Sequence, residues 1–310
     1  MLKSATIYQL TIPADALLGR LNAALEAKPF KKCLDKQPQS KGFVPPLGAG
    51  EIIYSANGGV LFCLRTATKT VPSSAVKDDL EARRAKAEKD GGEFSKVDER
   101  IAKKEIIEGY LPGIPAATTH AYAYIDTMLS MMFLGATGDD ADEFTKFMGE
   151  ALGGAAPLKL LGIKDEPCDK FTAWVKDIDL LGDAFELGNN GAMKHPGTEG
   201  GCGIINLKHE DFEAEEMISL IDAGRQVCSL SLVHEDMAFR LTSTLGIRNI
   251  KLSDDVMAES YDEDEGAVTR PNEFAAFVPA MRAVIQALDP LLGGWPHQEV
   301  LDLKERGDAT

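Results

Sequence analysis

The stretch IIYSANGGVLFCLRTATKTV (residues 52–71) holds two runs rich in β-branched and aromatic side chains, separated by Asn57-Gly58-Gly59. Asn-Gly between strand-like runs favours a two-residue turn, because both central residues of such a turn take positive φ. The spacing therefore predicts an antiparallel hairpin, with Pro72 stopping its second strand. Immediately upstream, GFVPPLGAG (42–50) reads as a stiffened corner. Its two prolines hold φ at about −65° and its glycines permit the reversals around them. Phe43 and Val44 are expected to pack against the body.

Working outward, TIYQLTI (6–12) alternates as a half-buried strand does, and Leu17, Leu18, Leu21 and Leu25 follow Asp15 at helical spacing, ending before Pro29. After the hairpin, SAVKDDLEARRAKAEKD (74–90) predicts a helix capped by Ser73 or Ser74, with little apolar stripe beyond Val76, Leu80 and Ala87. Gly91-Gly92 breaks it. Ser95-Lys96-Val97-Asp98 then has the form of a capping box and starts a second helix that runs to Leu111. Two such helices, each about 25 Å long at ~1.5 Å per residue and poor in core-facing residues, predict a projecting arm. Strands are expected in 120–126, 131–136, 184–187, 203–207, 225–233, 237–245 and 247–253. Helices are expected from Asp140 to Leu152, around Trp174, in 211–224 and around 274–291, with a long Gly-rich loop at 188–203 and an acidic stretch at 253–266. Strands and helices mix without strict βαβ alternation, so the predicted class is α+β with mixed or antiparallel sheets. The expected domains are 1–72 with 113–156 (central), 73–112 (helical arm) and 157–310 (C-terminal), with GGAAP (153–157) as a boundary.

The chain has 310 residues, 44% hydrophobic and 26% charged, as a soluble globular protein does. No apolar run is read as long enough to span a bilayer, and the first residues lack a secretory pattern. The five cysteines are scattered and never in C-x-x-C, which points to reduced thiols in a cytoplasm. Net charge is −16, unevenly spread: residues 1–110 carry 18 Lys+Arg against 14 Asp+Glu, and the remainder carries 15 against 35. Acidity of the whole argues against nucleic acid, yet a local basic face is compatible with it.

Catalytic patterns are lacking. The Gly-rich loop has no G-K-[ST] and no G-x-G-x-x-G, and YDEDEG (261–266) lacks the ligand spacing of a calcium loop. His120, His195, His209, His234 and His297 make no ligand pairs, and His234-Glu235-Asp236 reads as a polar turn. Neither cofactor nor metal is expected, and the protein is not expected to be an enzyme. Basic residues concentrate on few elements: Arg65 and Lys69 on the hairpin, Lys77 with Arg84 and Arg83 with Lys86 on the first arm helix, and Lys208 and Arg225 around the helix at 211–223. Aromatic residues do not interleave with them in the sequence, so any nucleic-acid contact is expected to be to phosphates.

The ordered series GFVPPLG, CLRT, VPSSAVKDDLEARRAKAEK, then LP followed by YID resembles the RdgC family of bacterial recombination-associated proteins. FTAWV (171–175), GIINLKHEDF (203–212) and IDAG (221–224) continue the resemblance more loosely. It implies a sequence-independent binder of double-stranded DNA, without catalysis, that closes as a homodimer into a ring around the duplex. It also implies a nucleoid location, no membrane, and restraint of the RecA recombinase through the shared DNA. Carried over by position, Arg65, Lys77, Arg83, Lys86, Lys208 and Arg225 match basic family positions, which implies phosphate contact. Two departures stand out. LPGIPAA puts Gly113 and Ala117 at arginine positions and Pro115 at an aromatic subunit contact, with Ile114 as an apolar substitute. In NLKHE, His209 and Glu210 replace a more basic run. The alternatives are a protein–protein module acting on a recombination or replication protein, and a metal-dependent nuclease.

Overall fold

The computed structural model describes residues 1–195, 203–212, 214–262 and 267–295. The chain begins with β1 (Ser4–Leu10), α1 (Ala14–Glu26), β2 (Gln39–Val44), β3 (Tyr54–Ala56), β4 (Gly59–Thr68), α2 (Ser73–Lys89) and α3 (Lys96–Tyr110). It continues with β5 (Ala117–Asp126), β6 (Met131–Leu134), α4 (Asp139–Leu152), β7 (Leu158–Leu160), α5 (Pro167–Lys176), β8 (Glu186–Lys194) and β9 (Ile204–Lys208). Then follow α6 (Glu215–Asp222), β10 (Gln226–Val233), β11 (Met237–Thr242), β12 (Ile247–Leu252), α7 (Asp254–Glu259) and α8 (Arg270–Leu291).

The hairpin at 52–71 forms as expected: Asn57 and Gly58 take φ of 49° and 80°, and Ala56 pairs with Gly59. From it grows one open sheet in the order β2-β4-β5-β6-β1-β12-β11-β10-β8-β9, with β3 added on β4 and β7 on β1. Its strand pairings are antiparallel. The class is therefore α+β, and β1 joins the two halves by pairing with β6 on one side and β12 on the other.

Period-2 alternation gives the sheet two faces. On one, Ile7, Leu61, Tyr124 and Phe133 pack against Phe274, Phe277 and Val278 of α8, while Val227, Leu230 and Leu232 pack with Phe171 and Trp174 of α5 and Ile221 of α6. On the other, Tyr8, Phe62, Leu64 and Met132 pack with Leu17, Leu21 and Leu25 of α1 and Phe144 and Met148 of α4. Phe43 belongs to this second core, 1% exposed, with Phe147 at 5.5 Å and Phe62 at 6.5 Å between ring centroids. Burying one such ring stabilises by about 1.5–3 kcal/mol.

Four local expectations need correction. Residues 188–194 of the supposed Gly-rich loop belong to strand β8, and 191–194 are paired on both sides. Gly191 is small because the Phe212 ring fills the place a Cβ would take. The rest of that loop, 196–202, lies outside the described residues, as do 263–266 and His297. The acidic stretch holds a short helix, α7, capped by the Ser253 hydroxyl on the Val256 amide. Helix α2 has Pro72 at its cap with no side-chain hydrogen bond, so Ser73 and Ser74 lie in its first turn. Finally, α8 is 22 residues long and apolar enough to cross a bilayer by composition. Eight of its side chains are buried in the protein core, and Arg282 is tied to Asp126, so it is a core helix here.

Candidate nucleic-acid interface

The arm helices bury Val76, Ala102 and Ile106 and are joined on their exposed sides by charge. In α3 the Ser95 hydroxyl accepts from the Asp98 amide at 3.3 Å and Asp98 accepts from the Ser95 amide at 3.0 Å, the capping box expected. The Ser95 hydroxyl also donates to the Asp98 carboxylate at 2.6 Å, and this bond, followed by that from the Ser95 amide, holds the Asp98 carboxyl below its usual range. Arg83 pairs with Glu105 at 2.7 Å and Arg84 with Glu99 at 3.2 Å across the two helices. Lys77 stands 3.8 Å from Glu81 on its own helix. Lys86, exposed, has no ion-pair partner among the described residues. Exposed pairs of this kind stabilise by about 0–1 kcal/mol each, but they also neutralise. Residues 73–112 carry nine Lys+Arg against ten Asp+Glu, whereas residues 1–72 carry nine against four. The basic excess of the N-terminal part lies off the arm.

It lies around Arg65. This residue sits on β4, opposite Gly42 of β2 and His120 of β5. Its guanidinium carbon lies 4.6 Å from the centre of the Phe30 ring, and its Nε is buried without a hydrogen-bond partner. Phe30 can approach because residue 42 is glycine: a Cβ there would come 2.2 Å from the Phe30 Cα. The segment carrying Phe30 is bound to β2 and β4. The Phe30 amide donates to the Phe43 carbonyl at 3.0 Å, and Lys69 Nζ donates to the carbonyls of Leu34, Asp35 and Leu111. Lys69 is thus used to tie the segment to the end of the arm. The same segment exposes Lys28, Lys31, Lys32 and Lys36 against the single acid Asp35. On the other side of Arg65, Arg270 at the start of α8 donates to the Tyr122 hydroxyl at 3.0 Å and lies 5.9 Å from its ring. Burial, then the charges of Arg65 and Arg270, pull the His120 imidazole below its ordinary pKa.

The six candidate cations fall into three places. Arg65 is in this cluster, Lys77, Arg83 and Lys86 are on the arm, and Lys208 and Arg225 are at the far end of the sheet. Lys208 is exposed opposite Asn190, and Arg225 donates to the Gly203 carbonyl at 3.3 Å. Sequence reasoning missed the lysines of 28–36, although KPFKKCLDK is a visible basic run. It also missed Arg270, which only the fold brings to Tyr122. Among the described residues, aromatics and arginines that do not interleave in the sequence meet in space at Arg65 on Phe30, Arg84 on Phe94 and Arg270 on Tyr122.

Beyond the arm, Leu111–Gly113 forms one 3-10 turn, Ile114 is half-buried, and Pro115, Gly113 and Ala117 are exposed. His209 is exposed at φ 58°. On α3, Val97 and Ile101 are four residues apart and exposed at 59% and 52%, an apolar stripe that the sequence reading left unremarked. Among the described residues no three His, Cys, Asp or Glu side chains gather as a metal site.

The chain matches the family model "RdgC: Putative exonuclease, RdgC" over residues 1–295. Similar proteins carry the name Recombination-associated protein RdgC. That of Halorhodospira halophila is 28% identical over 281 residues, covering 87% of this chain and 90% of its own. That of Aeromonas hydrophila is 28% identical over 304 residues, covering 94% and 97%. That of Psychromonas ingrahamii is 26% identical over 299 residues, covering 94% and 98%.

Proposed function

Because this chain belongs to the RdgC family of recombination-associated proteins, we propose that it binds duplex DNA without sequence preference and without cleaving it, as a homodimeric ring in the cytoplasm. The observation that carries the reading is the cation cluster of Lys28, Lys31, Lys32, Lys36, Arg65 and Arg270 on a chain of net charge −16. Four of its members are on an exposed segment, and phosphate attraction supplies sequence-blind affinity. Enclosure lowers the number of contacts needed, since a closed ring leaves its DNA only by opening an interface or reaching an end. Val97, Ile101 and the Ile114–Pro115 turn supply apolar surface for a contact between copies. Bound protein would restrain a RecA-type recombinase by occupying the duplex.

The test compares closed circular and linear duplex of matched length as salt rises. Encirclement gives retention on the circle and loss from the linear form, and equal release from both overturns it. Incubation of the protein with plasmid and Mg²⁺ or Mn²⁺ decides the point raised by the family description. Intact plasmid supports the binding reading, and shortening from DNA ends supports an exonuclease. A protein–protein module, the second reading, is favoured by the acidic remainder of the surface. It is tested by capture of a partner that survives nuclease treatment while no DNA shift occurs.

A further inference from the structure

The face of the sheet that α1 and α4 cover in its N-terminal half continues across β1 into a different surface. By register, Ser231, Arg240, Arg248 and Ser4 stand in one row across β10, β11, β12 and β1. At roughly 4.8 Å per strand spacing the row is about 14 Å long. The packed helices α5, α6 and α8 lie on the opposite face, with Leu230, Leu241 and Ile247. Two arginines directly opposite one another repel, and antiparallel sheets ordinarily avoid like charges there. Here neither has a hydrogen bond or ion pair among the described residues, and Arg240 Nε and the neighbouring Ser229 Oγ are buried without partners. Burial alone lowers the pKa of Arg248. Lys251 falls opposite Ala238 on the same face, and Lys208 opposite Asn190. Beside the row runs an open groove of 540 Å³ whose lining is mixed, with Lys3, Asn190, Ser231 and Lys251 among its polar residues and Val233 and Phe239 among its apolar ones. By register the face also carries one acid, Glu186, opposite Val233 at its end.

We infer that this bare sheet face, centred on the Arg240–Arg248 pair, is a second contact surface for the phosphates of duplex DNA, separate from the cluster around Arg65. A phosphate between the two guanidiniums would relieve their repulsion and accept from their terminal N–H groups. Arginine presents several donors in a plane, which suits a phosphate oxygen pair better than lysine does. The inference rests on the DNA-binding reading above.

The test measures duplex affinity of the full chain against salt for wild type, for Arg240→Gln with Arg248→Gln, and for Arg240→Lys with Arg248→Lys. If both arginines neutralise phosphates, the Gln variant loses about 1.8 from the slope of log K against log salt, at about 0.9 per contact, and the Lys variant keeps the slope. Thermal unfolding checks the fold: removing two unpaired like charges should leave the midpoint unchanged or higher. A folded Gln variant with the wild-type slope overturns this inference alone. Wild type that fails to bind duplex at low salt overturns the functional reading and this inference with it. A Gln variant that unfolds below the wild-type midpoint overturns the claim that the pair is unsatisfied in the free protein.

Discussion

Replacing Arg282 by alanine should cost about 4 kcal/mol, because it strands one buried carboxylate. Asp126, at the end of β5, is fully buried. It accepts from Arg282 Nε at 2.9 Å and from the amides of Met128 and Leu129 at 2.9 and 3.0 Å. Arg282, 12% exposed, also donates from Nη2 to the Asn57 carbonyl at 2.8 Å, while Asn57 Nδ2 donates to the Ala275 carbonyl. The β3–β4 turn is thereby clasped to α8 across more than 200 residues of sequence. Removing one partner of a buried pair costs about 3–5 kcal/mol. The two backbone donors left on Asp126 favour the lower end, and the lost bond to Asn57 adds about 1 kcal/mol. At about 2.1 cal/mol/K per residue over the whole chain, the midpoint of thermal unfolding should fall by roughly 6 °C. With m of about 3 kcal/mol/M, the urea midpoint should fall by about 1.3 M. Arg282→Met combined with Asp126→Asn leaves no unpaired charge and should recover at least half the loss. Because the clasp joins the N-terminal sheet to the C-terminal helix, both halves should melt in one transition. A single variant within about 1 kcal/mol of wild type, or two separate transitions, would refute this account.

Other consequences are quicker to check. Burial pushes the Cys63 thiol up to about 12, so at pH 8 it stays protonated; iodoacetamide with mass spectrometry should label half-exposed Cys33 and Cys228 well before Cys63. His120 should titrate below its ordinary value of 6.5 in the free protein. Its folded pKa is depressed, so the stability it contributes is complete above the unfolded pKa and is lost as pH falls through the folded one. Arg65→Ala should raise it, as should duplex DNA, since a nearby phosphate favours the imidazolium; an NMR titration unmoved by both would remove His120 from the interface. Lys31→Ala with Lys32→Ala should lower the salt slope of duplex binding by about 1.8 without changing the unfolding midpoint.

What the sequence made legible was local chemistry. Asn57-Gly58 marked the hairpin, Ser95 and Asp98 marked the start of α3, and Leu17, Leu21 and Leu25 marked the buried side of α1. Each signal acts over a few residues and survives into the fold. A strand was expected at 184–187, but the rest of β8 was lost because its glycines read as loop, whereas their smallness answers to Phe212 and Ser231, which reach them only in the folded sheet. Helix α7 was lost because six residues are too few for an apolar period beside so many acids. The motif series carried the family across nearly the whole chain, but it carried the cation positions without their surroundings. Arg83 and Arg84 turned out to be paired with glutamates of α3. Arg240 and Arg248, eight apart, become neighbours only through the register of β11 with β12.

That register raises a geometric difficulty whose resolution is testable. Arg65 lies on the same sheet face as Leu61, whereas Arg240 lies on the opposite face from Leu241. In a flat sheet the two basic surfaces would point away from each other, and one straight duplex could not meet both on a single copy. Sheets are not flat: adjacent strands rotate by about 20–25° in a constant sense. Five strand steps separate β4 from β11, so the normals turn by about 100–125° between them. Opposite faces are thereby brought to within about 55–80° of one another, and a duplex can lie across both. If it does, the two sets of contacts belong to one bound state and their counterions leave together. Joining Lys31→Ala and Lys32→Ala to Arg240→Gln and Arg248→Gln should then lower the salt slope by about 3.6, the sum of the two double variants. If the faces serve alternative modes of binding, the stronger mode alone sets the slope, and one of the double variants will leave it where wild type has it.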